Sequence, residues 1–220
     1  MYKYEKQGLI HKKTGLLCQD VVEGVEKEGI LVLAAADGAS ATNNGRRGAQ
    51  LTVQVLLELF SKYFHQLHNM QKKDIQYQLI EKIREQLYEE CERCNTDLQD
   101  MKSTFIAVAY EKTTGKMIRV HLGDGYVIVK DSKGYRFHSY PDNKGNRYTT
   151  YLTNMIPVSH RIQVFTGYEK ELEEIYLLTD GWLEIAGSDK EILKLVRRIE
   201  QKNDWEAQDD LGCISKTIIK

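Results

Sequence analysis

The sequence predicts an α+β fold in which packed antiparallel sheets are flanked by helices. Two observations lead to this prediction. Strand-like apolar segments cluster towards both ends of the chain, and two long helical patterns lie between them, with one further helix near the C-terminal end. The chain has 220 residues, of which 41% are hydrophobic. This is enough apolar material for a substantial core, and we expect a single domain over residues 1–220.

The N-terminal part predicts three strands, at residues 2–10, 16–25 and 29–37. The third strand, GILVLAAAD, is the most apolar run in the chain and has the length of a buried strand. A helix follows over 46–64, where Leu51, Val55 and Leu59 recur at helical spacing. A second helix over about 71–97 has an apolar residue at every fourth position: Ile75, Leu79, Ile83 and Leu87. Both apolar stripes indicate faces that pack against a core.

The C-terminal part predicts further strands separated by glycine-containing turns. These strands cover residues 103–111, 117–123, 126–131 and 134–140. Residues 141–174 are polar and predict one or two short strands. A buried strand at 174–180, an amphipathic helix at 190–200 and a last strand at 211–219 complete the pattern.

The charge balance and the cysteine content exclude several classes of protein. Lys+Arg 31 against Asp+Glu 32 gives a net charge of −1, so the main electrostatic argument for a nucleic-acid or anionic-membrane partner is missing. Four cysteines in a chain of this length do not suggest a disulfide framework. No run approaches the ~20 apolar residues of a membrane-spanning helix, and the N-terminus lacks the apolar segment of a secretory signal. We therefore expect a cytoplasmic protein.

Aspartates at the ends of apolar strands are the most informative feature of the sequence. Asp37, Asp124 and Asp180 each follow such a strand, and each precedes a glycine. Asp-Gly is also a common hairpin turn, so any single pair is as well explained by a turn. Asp20 lies within an apolar segment, and Asp209 precedes the last strand with another aspartate beside it. Carboxylates in apolar surroundings are costly unless paired or bound to a cation. Several of them together favour hard divalent ions such as Mg²⁺ or Mn²⁺.

Six short motifs occur in an order that resembles a known family. They are GLIHKKTGLLCQD (8–20), AAADGAS (34–40), STFIAV (103–108), HLGDG (121–125), LLTDGW (177–182) and DDLGCI (209–214). This set resembles the metal-dependent serine/threonine protein phosphatases of type 2C, and most closely their compact bacterial branch. The resemblance covers residues 8–218. It implies a four-layer α-β-β-α sandwich and an acidic site at one end of it that holds two Mg²⁺ or Mn²⁺ ions, with a third ion in some members.

The resemblance also implies roles for individual residues. Asp37 corresponds to the ligand that bridges both metals, and Gly38 contributes its carbonyl. Asp180 and Asp209 correspond to ligands of one metal, and Asp20 to the acid that acts on the other, directly or through water. Asp124 matches a position that helps to hold the third ion. A metal-bridged water attacks phosphorus directly in this family, so no phosphoenzyme is implied.

The chain departs from the family pattern in four places. Gln19 stands where a glutamate is common, and Gly15 where an arginine usually clamps the phosphate. The usual Asp-Asn-x-Thr motif here reads DDLG (209–212), and the interval from Asp124 to Asp180 is short, which predicts a reduced substrate flap. Other cations close to the motifs are candidates for phosphate binding: Lys12, Lys13, Arg46 and Arg47. His11 is a candidate proton donor to the leaving oxygen, with a structural hydrogen bond as the alternative role.

The sequence thus predicts a metal-dependent phosphomonoester hydrolase that acts on phosphoserine or phosphothreonine in proteins. Asp37, Asp20 and His11 are the predicted catalytic residues. Two alternatives remain open: a catalytically silent binding or sensor module with the same fold, and a hydrolase of small phosphates. The missing arginine and the altered terminal motif favour the silent module, whereas the retained aspartates oppose it.

Overall fold

Two antiparallel sheets of five strands each form the centre of the molecule. The computed structural model describes residues 1–39, 41–142, 150–202 and 204–218, and the elements below belong to these residues. The first sheet has the strand order β1 (Tyr2–Lys6), β10 (Leu211–Thr217), β9 (Glu174–Leu178), β6 (Tyr126–Asp131) and β7 (Gly134–Ser139). The second has the order β2 (Asp20–Lys27), β3 (Ile30–Asp37), β4 (Phe105–Glu111), β5 (Lys116–Leu122) and β8 (Gln163–Tyr168).

Five α-helices lie outside the sheets. They are α1 (Leu9–Thr14), α2 (Asn44–His68), α3 (Lys72–Cys94), α4 (Gly181–Ala186) and α5 (Asp189–Ile199). Short 3-10 turns occupy Leu98–Asp100 and Ser159–Arg161. Among the described residues no helix is both long and apolar enough to cross a bilayer.

The alternation of side chains along β3 explains the layers. Successive residues of a strand point to opposite faces of its sheet. Leu31, Leu33 and Ala35 therefore join the apolar cluster between the two sheets. The even-numbered residues of β3 instead join the cluster that packs under α2 and α3. A third cluster, which includes Trp182 and Ile192, lies between the first sheet and helices α4 and α5. Three apolar interfaces separate four layers, which confirms the predicted α-β-β-α sandwich.

Most predicted elements are present, but several boundaries differ from the prediction, among them the ends of α2, which spans Asn44–His68 instead of 46–64. The first predicted strand ends at Lys6, and residues 9–14 form α1 instead. Helix α1 has no buried residue, so apolar periodicity could not reveal it. β2 begins at Asp20, so residues 16–19 are not part of a strand. β9 ends at Leu178, and the residues after it turn into α4. Of the polar stretch 141–174, residues 143–149 lie outside the described part of the chain, and β8 is a strand in the remainder.

Candidate metal centre

The first two acids of the centre face each other across two neighbouring strands. Asp20 opens β2 and Asp37 closes β3, and the two are paired directly in the antiparallel register. Asp20 is buried, with 1% of its surface exposed, whereas Asp37 is partly exposed. Thr104 fixes Asp37 from β4's side, since its hydroxyl accepts the Asp37 N–H at 3.2 Å and its own N–H donates to the Asp37 carbonyl at 2.9 Å. The sheet itself therefore sets where the Asp37 carboxylate lies.

Gly38 lets the chain leave β3 in direct contact with the start of α2. A Cβ atom built on Gly38 would lie 2.3 Å from the carbonyl oxygen of Gly45. This distance excludes any side chain, because real Cβ atoms do not approach a carbonyl oxygen so closely. The predicted glycine is thus required for packing, and its backbone lies at the same end of the sandwich as Asp37.

Two more acids reach Asp37 from other strands. Asp124 follows β5 and Asp180 follows β9, so both lie at strand ends as predicted. One carboxylate oxygen from each of Asp37, Asp124 and Asp180 can be chosen so that the three lie within 4.8 Å of one another. Asp124, predicted only for a third ion, thus belongs to the tightest group of acids. All three ligand atoms are carboxylate oxygens, the donor type that suits Mg²⁺ or Mn²⁺, so the residues present fit such an ion.

The electrostatics of these acids shows a strong excess of negative charge. Burial raises the pKa of Asp37 well above its usual value, and the negative charges of Asp20, Asp180 and Asp209 raise it further. Burial likewise raises the pKa of Asp20, although a hydrogen bond from Thr179 acts in the opposite direction. The pKa of Asp124 rises to about 6, chiefly through burial. A bound divalent cation would remove this repulsion, because it favours the charged form of every carboxylate around it.

Asp209 lies beside the three converging acids without belonging to the 4.8 Å group. Its Oδ1 accepts the N–H of Asp210 at 2.9 Å. The carboxylate of Glu184 on α4 accepts the N–H groups of Gln208 and Asp209, at 2.8 and 3.3 Å. The negative charge of Asp209 also raises the pKa of Asp20 and Asp37, so it lies close to both. The loop before β10 is therefore held against the centre by α4.

Asp210, which the sequence did not single out, holds the N-terminal segment in place. It is 2% exposed, and its carboxylate accepts the N–H groups of Gly8 at 2.7 Å and Gln19 at 2.5 Å. The same carboxylate contacts Nδ1 of His11 at 2.7 Å. These contacts tie both ends of the segment 8–19 to the loop before β10. The doubled aspartate was the only available signal, since the backbone donors Gln19 and Gly8 are 191 and 202 residues away in sequence.

A hydrogen-bonded link between the sheets supports Asp20. The hydroxyl of Thr179 donates to Oδ2 of Asp20 at 2.6 Å and accepts the N–H of Gly212 at 2.8 Å. The indole N–H of Trp182 donates to the carbonyl of Gly212 at 2.9 Å. A Cβ atom on Gly212 would lie 3.0 Å from Thr179 and 3.2 Å from Asp20. Gly212, which stands where the family usually has a threonine, therefore lies where the two sheets approach each other closely.

The candidate phosphate-binding cations have different surroundings. Arg46 donates to the carbonyls of Cys18 and Asp20, at 2.7 and 3.1 Å, and pairs with Glu5. Arg47 pairs with Glu90 on α3 at 2.6 Å. Both arginines are thus engaged in contacts within the fold, and the structure does not bring them together with the acids as free cations.

The remaining two cations, Lys12 and Lys13, are exposed on α1. Lys12 and Asp209 line the same narrow crevice between α1 and the loop before β10. Gly15, which stands in place of the usual arginine, ends α1 with a left-handed φ of 75°. A glycine adopts this conformation without the strain that arginine would suffer.

Comparisons with known proteins agree with this geometry. A family model described as protein phosphatase 2C matches residues 7–212. No curated protein sequence matches the chain. The solved serine/threonine phosphatase PstP of Mycobacterium tuberculosis is similar in fold, with a TM-score of 0.67 and 17% identity over 98% of this chain and 97% of that one.

Two further solved structures are similar at 14% identity. The S. agalactiae serine/threonine phosphatase has a TM-score of 0.64 and covers 98% of both chains. RsbX, solved in complex with magnesium, has a TM-score of 0.61 over 97% of this chain and 92% of its own. At such low identity these likenesses show the fold, whereas the family model spans nearly the whole sequence. The chain belongs to the protein phosphatase 2C family.

Proposed function

We propose that this phosphatase uses two Mg²⁺ or Mn²⁺ ions to hydrolyse phosphoserine and phosphothreonine esters in proteins. The observation that carries the proposal is the convergence of Asp37, Asp124 and Asp180 within 4.8 Å. These three acids, with Asp209 beside them, are the proposed ligands, and the Gly38 carbonyl is a further one. The family match supports a metal-dependent protein phosphatase and does not favour a catalytically silent module. The magnesium bound to RsbX supports the choice of ion.

The protein's own contribution is to place negatively charged side chains around the ions and to restrict the movement of these residues. When bound, divalent ions lower the pKa of a water molecule and withdraw charge from phosphoryl oxygens. Thr104 fixes the backbone of Asp37, and Thr179 fixes the carboxylate of Asp20, so little reorganisation of these groups is needed during the reaction. We assign Asp20 a supporting role, in which its buried charge orients the centre. A third ion at Asp124 stays a prediction.

Binding of the substrate phosphate requires a positively charged side chain. The family usually supplies an arginine for this purpose, whereas this chain has Gly15 at that position. Arg46 and Arg47 have partners within the fold. Lys12 and Lys13 are therefore the proposed phosphate-binding residues, since α1 places them on the surface next to the loop that carries Asp209. A lysine binds phosphate as a point charge and without the two-pronged geometry of arginine. We expect this site to be less selective for phosphate orientation than an arginine clamp.

The proposal is tested by assaying the purified chain against a phosphoserine peptide, a phosphothreonine peptide and a small aryl phosphate. Activity is expected with added Mn²⁺ or Mg²⁺ and is expected to vanish in excess EDTA. Mn²⁺ binding is measured separately by calorimetry. Binding with no turnover of any substrate would contradict the proposal and support the silent module. Turnover of the aryl phosphate and small metabolites without a preference for phosphopeptides would support the hydrolase of small phosphates.

His11 is proposed to act structurally, through its hydrogen bond to Asp210. We expect His11→Asn to retain most of the activity, because the asparagine Nδ2 can donate from nearly the same position as the imidazole Nδ1. His11→Ala should lower the free energy of unfolding by about 1 kcal/mol, the usual net contribution of one hydrogen bond, because Asp210 keeps the N–H groups of Gly8 and Gln19 as donors. Thermal unfolding and pH–rate profiles check both variants. Loss of the same ionisation from the pH–rate profiles of both variants would instead identify His11 as the proton donor.

The predicted cytoplasmic location, and the expected lack of nucleic-acid and membrane partners, rest on composition and stay predictions. A phosphoprotein is the proposed substrate partner.

A further inference from the structure

The segment that follows β7 returns to the metal centre and binds the residue just before Asp124. The N–H of Asp142 donates to the carbonyl of Gly123 at 3.0 Å. In return the N–H of Gly123 donates to Oδ2 of Asp142, also at 3.0 Å. Asp142 therefore holds both polar groups of the Gly123 backbone with its own backbone and side chain.

Gly123 has a conformation that needs this support. Its φ is 113°, a value that side-chain-bearing residues rarely adopt. A Cβ atom there would also lie 2.5 Å from Cγ2 of Thr104, the residue that fixes Asp37. Gly123 is thus confined by Thr104, just before β4, on one side and by Asp142 on the other. Because Asp124 is the next residue, the position of its Cα atom depends on how the Gly123 backbone is held.

Thr150 forms a second connection between the two acids. Its hydroxyl lies 3.4 Å from Oδ1 of Asp142 and also within hydrogen-bonding reach of the Asp124 side chain, so its single proton is shared between the two carboxylates. Thr150 and Asp142 both belong to the connection between β7 and β8. Side-chain and backbone contacts from one connection therefore converge on Asp124 and on the peptide that precedes it.

The charge of Asp142 does not explain its position. Its negative charge lies beside Asp124 and repels it, which raises the pKa of Asp124. A carboxylate at this place is unfavourable as a charge and favourable as a hydrogen-bond acceptor. The two contributions can be separated, because asparagine keeps an acceptor oxygen of the same reach and has no charge.

We propose that Asp142 is a positioning residue: its carboxylate holds the N–H of Gly123 and thereby fixes the backbone that leads into Asp124, which raises the metal affinity of the centre. The inference rests on the proposed role of Asp124 as a metal ligand. It assigns to Asp142 a function in metal binding that depends on its contacts with the Gly123 backbone. Residues that orient a ligand in this way typically contribute about 10–100-fold to metal affinity.

The test compares Asp142→Asn with Asp142→Ala. Calorimetry should show that the alanine variant binds Mn²⁺ at least about tenfold more weakly, whereas the asparagine variant stays within about threefold of the original chain. At saturating Mn²⁺ the alanine variant should regain kcat, with KM for a phosphopeptide unchanged. Equal losses in both variants would overturn the proposal, since they would show that charge matters. Unchanged Mn²⁺ affinity in the alanine variant would overturn it as well.

Hydrogen exchange of the metal-free protein supplies a readout that does not depend on activity. Peptides that contain Gly123 and Asp124 should exchange faster in Asp142→Ala but not in Asp142→Asn. Should the alanine variant exchange rapidly everywhere, Thr150→Val replaces it as the test. That variant removes the shared hydroxyl and should loosen the same peptides, and unchanged exchange would count against the proposal.

A matched control variant, together with measurements on the original chain, distinguishes failure of this inference from failure of the proposed function. Asp131 also accepts a backbone N–H, that of Lys133 at 2.8 Å, but in the β6–β7 hairpin. Asp131→Ala should leave Mn²⁺ affinity unchanged. If the original chain neither binds Mn²⁺ nor hydrolyses phosphopeptides, the proposed function fails. If it does both and only the Asp142 variants behave otherwise than expected, this inference alone fails.

Discussion

Asp37→Asn is expected to reduce metal-dependent hydrolysis by more than about 100-fold, beyond the range usual for residues that only support a ligand. The same change should raise the midpoint of thermal unfolding of the metal-free protein. Asp37 lies among the carboxylates of Asp20, Asp180 and Asp209. Burial is the largest cause of its raised pKa, and the negative charges of these three residues raise the pKa further. Removing one charge relieves this repulsion. Each ~1 kcal/mol of relief corresponds to about 2–4 °C in a chain of this size.

The gain in stability should depend on pH in a defined direction. A carboxyl group whose pKa is raised by folding holds its proton more tightly in the folded state. Its unfavourable contribution is complete above the folded-state pKa and disappears below the unfolded-state value of about 4. The difference in unfolding midpoint between Asp37→Asn and the original chain should therefore be largest at alkaline pH and shrink towards about pH 4.

Asp204→Asn is the matched control for this experiment, because Asp204 is exposed and pairs only loosely with Lys202 at 3.5 Å. It should change neither activity nor the unfolding midpoint appreciably. Full phosphatase activity in Asp37→Asn would contradict the assignment of Asp37 as a metal ligand. A lower unfolding midpoint in metal-free Asp37→Asn would contradict the repulsion between the acids.

Gly181→Ala is expected to weaken metal binding and to destabilise the fold together. A Cβ atom on Gly181 would lie 2.0 Å from the carbonyl oxygen of Asp210, so the two backbones have to separate. Gly181 follows Asp180, and Asp210 follows Asp209, so the separation moves two proposed ligands apart. Overpacking of this kind typically costs about 1–3 kcal/mol. Thermal unfolding and Mn²⁺ calorimetry measure the two effects.

Gly187→Ala provides the comparison at the other end of α4. Nothing lies within 4 Å of a Cβ atom on Gly187, but its φ of 76° is left-handed. This variant should lose about 1–2 kcal/mol through backbone strain and keep its Mn²⁺ affinity. Equal Mn²⁺ affinities for both alanine variants would show that the contact between Gly181 and Asp210 does not position the centre.

The sequence predicted those features that depend on local patterns. The continuous apolar run of β3 indicates a strand that is buried on both faces, and aspartates at strand ends mark the edge where the acids meet. Asp142 and Asp210 act through donors far away in sequence, so no local pattern identifies them. The same limit applies to Arg46 and Arg47. Their position at the start of a helix suggested anion binding, but Glu5 and Glu90, from other elements, already pair with them.

Helix α1 and Gly15, which stands where the family usually has an arginine, illustrate a further limit of prediction from sequence. A six-residue helix without a buried side chain leaves no apolar period, and backbone contacts with the loop before β10 hold it. Its existence therefore depends on a loop about 200 residues later, which sequence reasoning cannot place. The apparent loss of an arginine is explained locally by the left-handed turn that ends this helix.

The order of strands in the first sheet has a consequence for biosynthesis. β10 lies between β1 and β9, so an internal strand of this sheet leaves the ribosome last. Until translation reaches residues 211–217, β1 and β9 both expose an unpaired edge, the type of surface that recruits other chains. A nascent chain therefore has neither a continuous sheet nor Asp209 until residues 209–217 have been synthesised. Chaperone dependence of the newborn polypeptide should accordingly be concentrated in the interval of elongation that precedes this strand.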